Sequence, residues 1–219
     1  FITKKYKENE NPADYEFIAA TVDDNTVLKE NDTGYINMLD SLSDDLKQAW
    51  RYGNWDMMAG QYFSEFDRQK HVIEPFHIPE HWKRYRAIDY GLDCCACVWV
   101  AVDEHGTYYV YREYAEEDKP ISDGSRDIIA LSEGENIVYT AAPPDIWGRS
   151  QESGKEKSDL FYESGLPLIK ASANREAGWL AIKELLRSER IKFFSNCTGL
   201  IEYIPALQRD LKHPTDCMT

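Results

Sequence analysis

The sequence predicts an α/β fold in which helices flank a mixed β-sheet. Three observations support it: three strand-forming segments joined by short connections, a helical segment after them, and a fourth strand-forming segment beyond that helix. Short connections join antiparallel strands, whereas a helical crossover places the next strand parallel to a neighbour. The 219 residues, 42% of them hydrophobic, suffice for one sizeable core with a smaller attached segment.

The three consecutive strands begin near residue 85. They are rich in the aromatic, β-branched and small apolar residues that suit a half-buried sheet, and they read YRAID (85–89), CCACVWVAVD (94–103) and TYYVYREYAE (107–116). His105 and Gly106 mark the turn between the last two. We therefore expect an antiparallel meander.

Helices and strands alternate in the rest of the chain. Helical segments are predicted at 120–135, 157–165, 174–188 and 198–210, and strands at 136–145, 166–172 and 190–196. Pro120 suits the first turn of a helix, and Asn174 is a suitable N-cap for another. The strand at 136–145 follows a helical crossover, so we expect it to pair in parallel within the sheet.

The first eighty residues have a different pattern. They contain two short amphipathic segments typical of helices, at 32–42 and 41–55, and Pro75 and Pro79 then mark a junction. We predict a small helical linker at 1–83 and a main domain at 84–219, both belonging to a longer polypeptide. No apolar run approaches the roughly 18 residues of a membrane span.

Charge and cysteine content restrict the function without deciding it. A net charge of −14 argues against a nucleic-acid partner, because phosphate contacts need Lys and Arg. Residues 145–192, however, hold nine Lys or Arg against eight Asp or Glu. The five cysteines, three of them within 94–97, favour buried thiols in a reducing compartment over a disulfide framework.

Two acids end strands that can be parallel neighbours in the predicted topology. Asp89 closes the first strand, and Asp145 closes the strand at 136–145. Two close carboxylates repel unless a cation lies between them, and Mg²⁺ prefers such oxygen ligands. The pair therefore predicts a divalent metal site. An Asp at a strand end is also a common turn or cap residue, and spacing alone does not choose between these interpretations.

Longer stretches around these acids resemble a known family, the large terminase subunit of tailed bacteriophages and prophages. RAIDYG with VWVAVDEHGTYYVYREY resembles the opening of its nuclease domain, and APPDIWGRSQESGKEKSDLFYESGLPLIKASANREAGWLAIKELL resembles its second acidic motif. Residues 17–56 resemble the segment that links the ATPase module of the family to the nuclease.

The resemblance implies an RNase H-like fold that cuts concatemeric viral DNA during genome packaging. Asp89 matches the first catalytic, metal-binding acid and Asp145 the second, with Mg²⁺ or Mn²⁺ as cofactor and two ions expected. The third acid of the family lies near its C-terminus in a motif that this sequence does not reach. Asp216 is the one late candidate, so the domain is expected to be C-terminally truncated.

The expected partners are double-stranded DNA and, by resemblance, the portal protein and the small terminase subunit, in the cytoplasm of the bacterial host and without a membrane. The loop after Asp145 offers DNA-backbone contacts from Arg149, Lys155 and Lys157, or it is simply solvated. Glu113 is either an outer ligand or a surface ion pair. Two other functions stay open: a non-catalytic docking module of the packaging motor, and another RNase H-like nuclease such as a junction resolvase.

Overall fold

The structure is a computed structural model. It describes residues 21–31, 33–42, 47, 51–52, 60–91, 93–148, 155–210, 213 and 215–217. The chain divides into two compact units: residues 1–64 together with 205–219, and residues 65–204. No helix within the described residues is long and apolar enough to cross a bilayer.

The first unit contains short helices. A 3-10 turn at Val22–Asp24 precedes α1 (Thr26–Asn31) and α2 (Thr33–Asp40), and α2 confirms the helix predicted within 32–42. Arg51 forms an ion pair with the last residue of α2, because its guanidinium lies 2.6 Å from the Asp40 carboxylate. The helix predicted at 41–55 falls largely outside the described residues.

The second unit is built on a sheet whose described strands number seven. They are β1 (Val72–Ile73), β2 (Lys83–Tyr90), β3 (Cys94–Val102), β4 (Tyr108–Glu117), β5 (Ile137–Ala142), β6 (Ile169–Lys170) and β7 (Ile191–Phe194). Their order across the sheet is β1-β7-β4-β3-β2-β5-β6. Only β3 runs antiparallel to its neighbours, so the other six strands end on one side, the carboxyl end of the sheet. The predicted meander and the parallel return of β5 are confirmed.

Five described helices belong wholly or mainly to this unit: α3 (Arg68–His71), α4 (Ile121–Leu131), α5 (Lys157–Glu163), α6 (Arg175–Arg187) and α7 (Thr198–Ala206). The N-cap predicted for α6 is present, since the Asn174 side chain accepts a hydrogen bond from the backbone N–H of Ala177 at 3.0 Å. Pro205 lies in the last turn of α7. The core takes alternate side chains of β3, with Trp99 fully buried, and Ile128 of α4 and Phe161 of α5.

A polar network fixes how β2 and β5 pair. The Ser132 hydroxyl accepts hydrogen bonds from Trp99 Nε1 at 2.9 Å and from the Arg86 guanidinium at 2.8 Å, and Arg86 Nε donates to Thr140 Oγ1 at 3.0 Å. The register of the two strands shifts here: Arg84 pairs with Ile137, but Tyr85 pairs with Tyr139. Val138 is therefore one extra residue in β5, a β-bulge.

Candidate functional site

The predicted acids lie at the carboxyl end of two neighbouring parallel strands. β2 and β5 pair in parallel with Ala87 opposite Ala141. Asp89 follows two residues later, inside β2, and Asp145 lies four residues past Ala141 in the 3-10 turn Pro144–Trp147. Adjacent strands lie about 4.8 Å apart, so the backbone positions that carry the two acids belong to one small region of the sheet.

Buried neighbours hold each acid in place while its own residue is exposed. Ile88, just before Asp89, is 3% exposed, and the Tyr90 ring after it packs edge-on against Phe161 at 5.6 Å. Tyr90 also donates a hydrogen bond from its hydroxyl to a backbone carbonyl at 3.1 Å. These contacts fix the end of β2, so Asp89 has a defined position without being buried.

The turn that carries Asp145 is anchored in the same way. Ile146, the next residue, is fully buried, and the backbone N–H of Gly148 donates to the Asp145 carbonyl at 2.9 Å. A Cβ at Gly148 would lie 3.1 Å from that carbonyl oxygen, which is a tight contact. The absence of a side chain at Gly148 therefore allows its backbone to pass close to the Asp145 carbonyl. The backbone amides and the buried isoleucine hold the turn, and the Asp145 side chain remains exposed.

Neither carboxylate is neutralised within the part of the chain that the structure describes. No ion pair or side-chain hydrogen bond joins Asp89 or Asp145 to a described residue. The negative charge of Asp89 contributes to the environment of the Cys95 thiol, whose pKa is raised to about 11, chiefly by burial and then by neighbouring acidic groups. Two unpaired, exposed carboxylates at adjacent strand ends are a suitable donor set for a hard divalent cation.

The described residues contain no group of three or more His, Cys, Asp or Glu side chains that would hold a metal ion. A site formed by Asp89 and Asp145 would therefore rest on two protein carboxylates. Mg²⁺ fits this arrangement, because it keeps several waters and commonly binds through one or two carboxylates together with substrate phosphate. The chemistry and exposure of this pair thus suit Mg²⁺ or Mn²⁺.

The predicted cationic residues have different surroundings. Lys157 is the first residue of α5. Its Nζ lies 5.7 Å from the centre of the ring of Tyr90, the residue that follows Asp89 in sequence. Lys155 Nζ lies 2.7 Å from the Glu163 carboxylate in an exposed ion pair. Solvent screens an exposed pair of this kind, so it does not hold Lys155 away from a stronger partner. Arg149 lies outside the described residues.

The surface ion pair predicted as one role of Glu113 is not present among the described residues. Its carboxylate oxygens accept hydrogen bonds from the backbone N–H groups of Gly199 at 2.7 Å and Leu200 at 2.9 Å, in the first turn of α7. It therefore satisfies amides that an α-helix leaves unpaired at its start. The ion-pair prediction was wrong because the partner lies 86 residues away in sequence. Asp216, the late acid, belongs to the other unit, where its carboxylate accepts from the Cys217 N–H at 2.8 Å.

No protein-family model and no curated protein matches this sequence. Solved structures do match. The nuclease domain of the P22 large terminase shares 17% identity over 74% of this chain and 84% of its own, with a TM-score of 0.62. A large terminase from a thermophilic bacteriophage shares 18% over 92% of this chain and 50% of its own, with a TM-score of 0.60. The large terminase nuclease of thermophilic phage G20c, solved with bound magnesium, shares 14% over 71% and 86%, with a TM-score of 0.54.

The chain thus has the fold of the nuclease domains of phage large terminases. The predicted RNase H-like α/β class, with its mixed sheet and flanking helices, is confirmed. The chain spans about half the length of the second of these proteins and most of the P22 nuclease domain.

Proposed function

We propose that this chain carries a divalent-metal-dependent DNA endonuclease domain of a phage terminase large subunit, which cuts concatemeric viral DNA during packaging. One observation carries the proposal above the others. In a sheet with the terminase nuclease fold, Asp89 and Asp145 end neighbouring parallel strands and have no cation partner among the described residues. A carboxylate pair serving only as turn-formers would gain nothing from this shared position.

Asp89 and Asp145 are the proposed metal ligands and catalytic residues, with two Mg²⁺ or Mn²⁺ ions as cofactor. When bound, such ions would activate a water and stabilise charge on the departing oxygen of a phosphodiester. The role of the protein is to hold both carboxylates at fixed strand ends. Tyr90 and Ile146, which anchor the neighbouring backbone, serve this positioning.

The proposed substrate is double-stranded DNA, with backbone contacts from Arg149, Lys155 and Lys157. We further propose the division into a linker at 1–83 and a nuclease domain at 84–219, with Asp216 as the late candidate for a third acid. The proposed place of action is the host cytoplasm, with the portal and small terminase subunit as partners. The bound magnesium of the G20c nuclease supports the metal assignment, and the resemblance to large terminase subunits is the basis for the proposed partners.

Cleavage and metal binding by two conservative variants test the proposal. Asp89→Asn and Asp145→Asn should each abolish Mn²⁺-dependent cleavage of a plasmid. Their melting temperatures without metal should be unchanged or higher, because like-charge repulsion is relieved. Mn²⁺ should raise the melting temperature of the wild type by mass action and have little effect on either variant.

Glu104→Gln is the matched control. Glu104 is an exposed carboxylate in the β3–β4 turn, at the opposite end of the sheet, where it pairs with His81 at 3.2 Å. This variant should keep cleavage and the response to Mn²⁺. If Asp89→Asn and Asp145→Asn cut as fast as the wild type, the catalytic assignment is wrong, and a non-catalytic docking module becomes the better interpretation. A strong preference for branched over linear duplex would instead favour a junction resolvase.

A further inference from the structure

Lys170, the last residue of β6, lies beside the turn that carries Asp145. Its Nζ is 5.2 Å from the centre of the Trp147 ring, and Trp147 ends that 3-10 turn. β6 pairs in parallel with β5, with Lys170 opposite Ala142, and the backbone N–H after Lys170 donates to the Ala142 carbonyl at 2.8 Å. Lys170 is therefore fixed at the carboxyl end of the sheet, on the outer side of Asp145.

The charge of Lys170 is not neutralised by the part of the chain that the structure describes. Its one described partner is the Trp147 ring, and no carboxylate pairs with it. Other lysines of this unit do pair with acids, as Lys119 does with Asp127 at 2.9 Å and Lys70 with Glu189 at 3.2 Å. Stacking on the ring at this exposed site orients the ammonium while leaving its N–H donors available.

Lys157 likewise lies over an aromatic ring that neighbours one of the acids in sequence. It lies over Tyr90, the residue after Asp89, as Lys170 lies over Trp147, two residues after Asp145. Neither lysine has a carboxylate partner among the described residues. Tyr90 and Asp89 are consecutive in β2, so their side chains point to opposite faces of the strand, and Lys157 lies on the face away from Asp89. Lys170 is thus the cation that the structure fixes beside the turn of Asp145.

We propose that Lys170 contacts a backbone phosphate of the DNA strand on the β6 side of the acid pair, so that the strand crosses the carboxyl end of the sheet from β2 towards β6. This inference rests on the proposed function and names a part of its substrate-binding surface. A lysine acts on phosphate as a point charge and reads no base, so the contact positions the strand without sequence preference. In this role Lys170 is a positioning residue.

The competing explanation is that Lys170 merely covers Trp147, and three variants separate the two. Lys170→Met keeps an apolar stem on the ring and removes the charge, whereas Lys170→Arg keeps both. Lys83→Met is the matched control, because Lys83 is exposed at the first position of β2, at the opposite end of the sheet. Melting temperatures of all three verify folding.

The measurement is the affinity for a fluorescein-labelled linear duplex of about 30 base pairs, by anisotropy in EDTA between about 50 and 200 mM salt. Lys170→Met should weaken binding on the order of threefold to tenfold at the lower salt, and its log–log salt slope should fall by about 0.9, one phosphate contact. Lys170→Arg and Lys83→Met should match the wild type.

An unchanged slope for Lys170→Met, or an equal loss for Lys83→Met, overturns the inference and leaves the nuclease proposal standing. Failure of the wild type to bind duplex overturns both. If the carboxylate proposal alone fails, Asp89→Asn still cuts plasmid while the Lys170→Met slope falls as expected. The failures of the two proposals are thus distinguishable.

Discussion

Gly124 in α4 tests the packing of this helix on the sheet. A Cβ at this position would lie 2.9 Å from the Sγ atom of Cys95, the second residue of β3, which is 1% exposed on the core face of that strand. Gly124→Ala therefore forces either the helix or the strand to move. Overpacking of this kind typically costs 1–3 kcal/mol, against a gain of up to about 1 kcal/mol because alanine favours a helix over glycine. We expect a net loss of about 0–2 kcal/mol.

Gly178 in α6 provides the matched control. It is the fourth residue of its helix, as Gly124 is of α4, and a Cβ there would meet nothing within 4 Å. Gly178→Ala should therefore keep the full gain from helix propensity. The difference between the two variants should be about 1–3 kcal/mol in free energy of unfolding, which is the overpacking contribution alone.

Urea unfolding followed by circular dichroism measures this difference from the shift in midpoint at constant slope. A third variant, Cys95→Ala combined with Gly124→Ala, removes the obstructing sulfur. The double variant should lose less free energy of unfolding than Cys95→Ala and Gly124→Ala lose together when each is measured alone. The difference, which is the coupling energy, should be about 0.5–3 kcal/mol. If Gly124→Ala is as stable as Gly178→Ala, the close approach of α4 to β3 is refuted.

Two further predictions concern buried groups of the second unit. Burial raises the pKa of the Cys95, Cys97 and Cys197 thiols to about 11 or 12. At pH 8 these three should not react with Ellman's reagent until urea unfolds the chain, whereas the partly exposed Cys94 should; fast native titration of all four would contradict this. The pKa of these thiols is thus higher in the folded state than in the unfolded state, where it is about 9. Their contribution to stability should be fully present below about pH 9 and should be lost as the pH rises from about 9 towards 12. Glu113→Gln should cost about 1–2 kcal/mol, since one acceptor of two charge-assisted bonds at α7 becomes a donor. Glu117→Gln, at the exposed end of the same strand, should cost nearly nothing, and equal losses in urea unfolding would contradict the role of Glu113.

The central part of the sheet was predictable from local patterns. Alternation along β3 and the crossover at α4 predict the meander and a parallel β5, and they allow β5 to lie beside β2. The structure shows that pairing, which puts Asp89 and Asp145 at one end of the sheet. The extent of β6 was not predictable. The apolar segment 166–172 suggested a full strand, but Leu166 turns into the core and only Ile169–Lys170 pairs.

Long-range contacts account for the other differences. The hydrogen bonds of Glu113 to α7 and the approach of Lys170 to Trp147 join elements that are distant in sequence, and neither leaves a local signature. In the sequence, Lys170 is one of the nine Lys or Arg residues within 145–192. Its proximity to the turn of Asp145 required the parallel pairing of β5 with β6.

The bulge at Val138 has a consequence for the spacing of the two acids. Side chains alternate along a strand, so one added residue reverses the phase of everything after it and moves it along by about 3.3 Å. The bulge absorbs this extra residue. If β5 instead paired regularly, Val138 would lie opposite Tyr85 and Thr140 opposite Ala87, so Thr140 would turn away from Arg86 and Asp145 would be displaced by one residue relative to Asp89. The relative placement of two carboxylates 56 positions apart thus depends on how a single residue of β5 is accommodated.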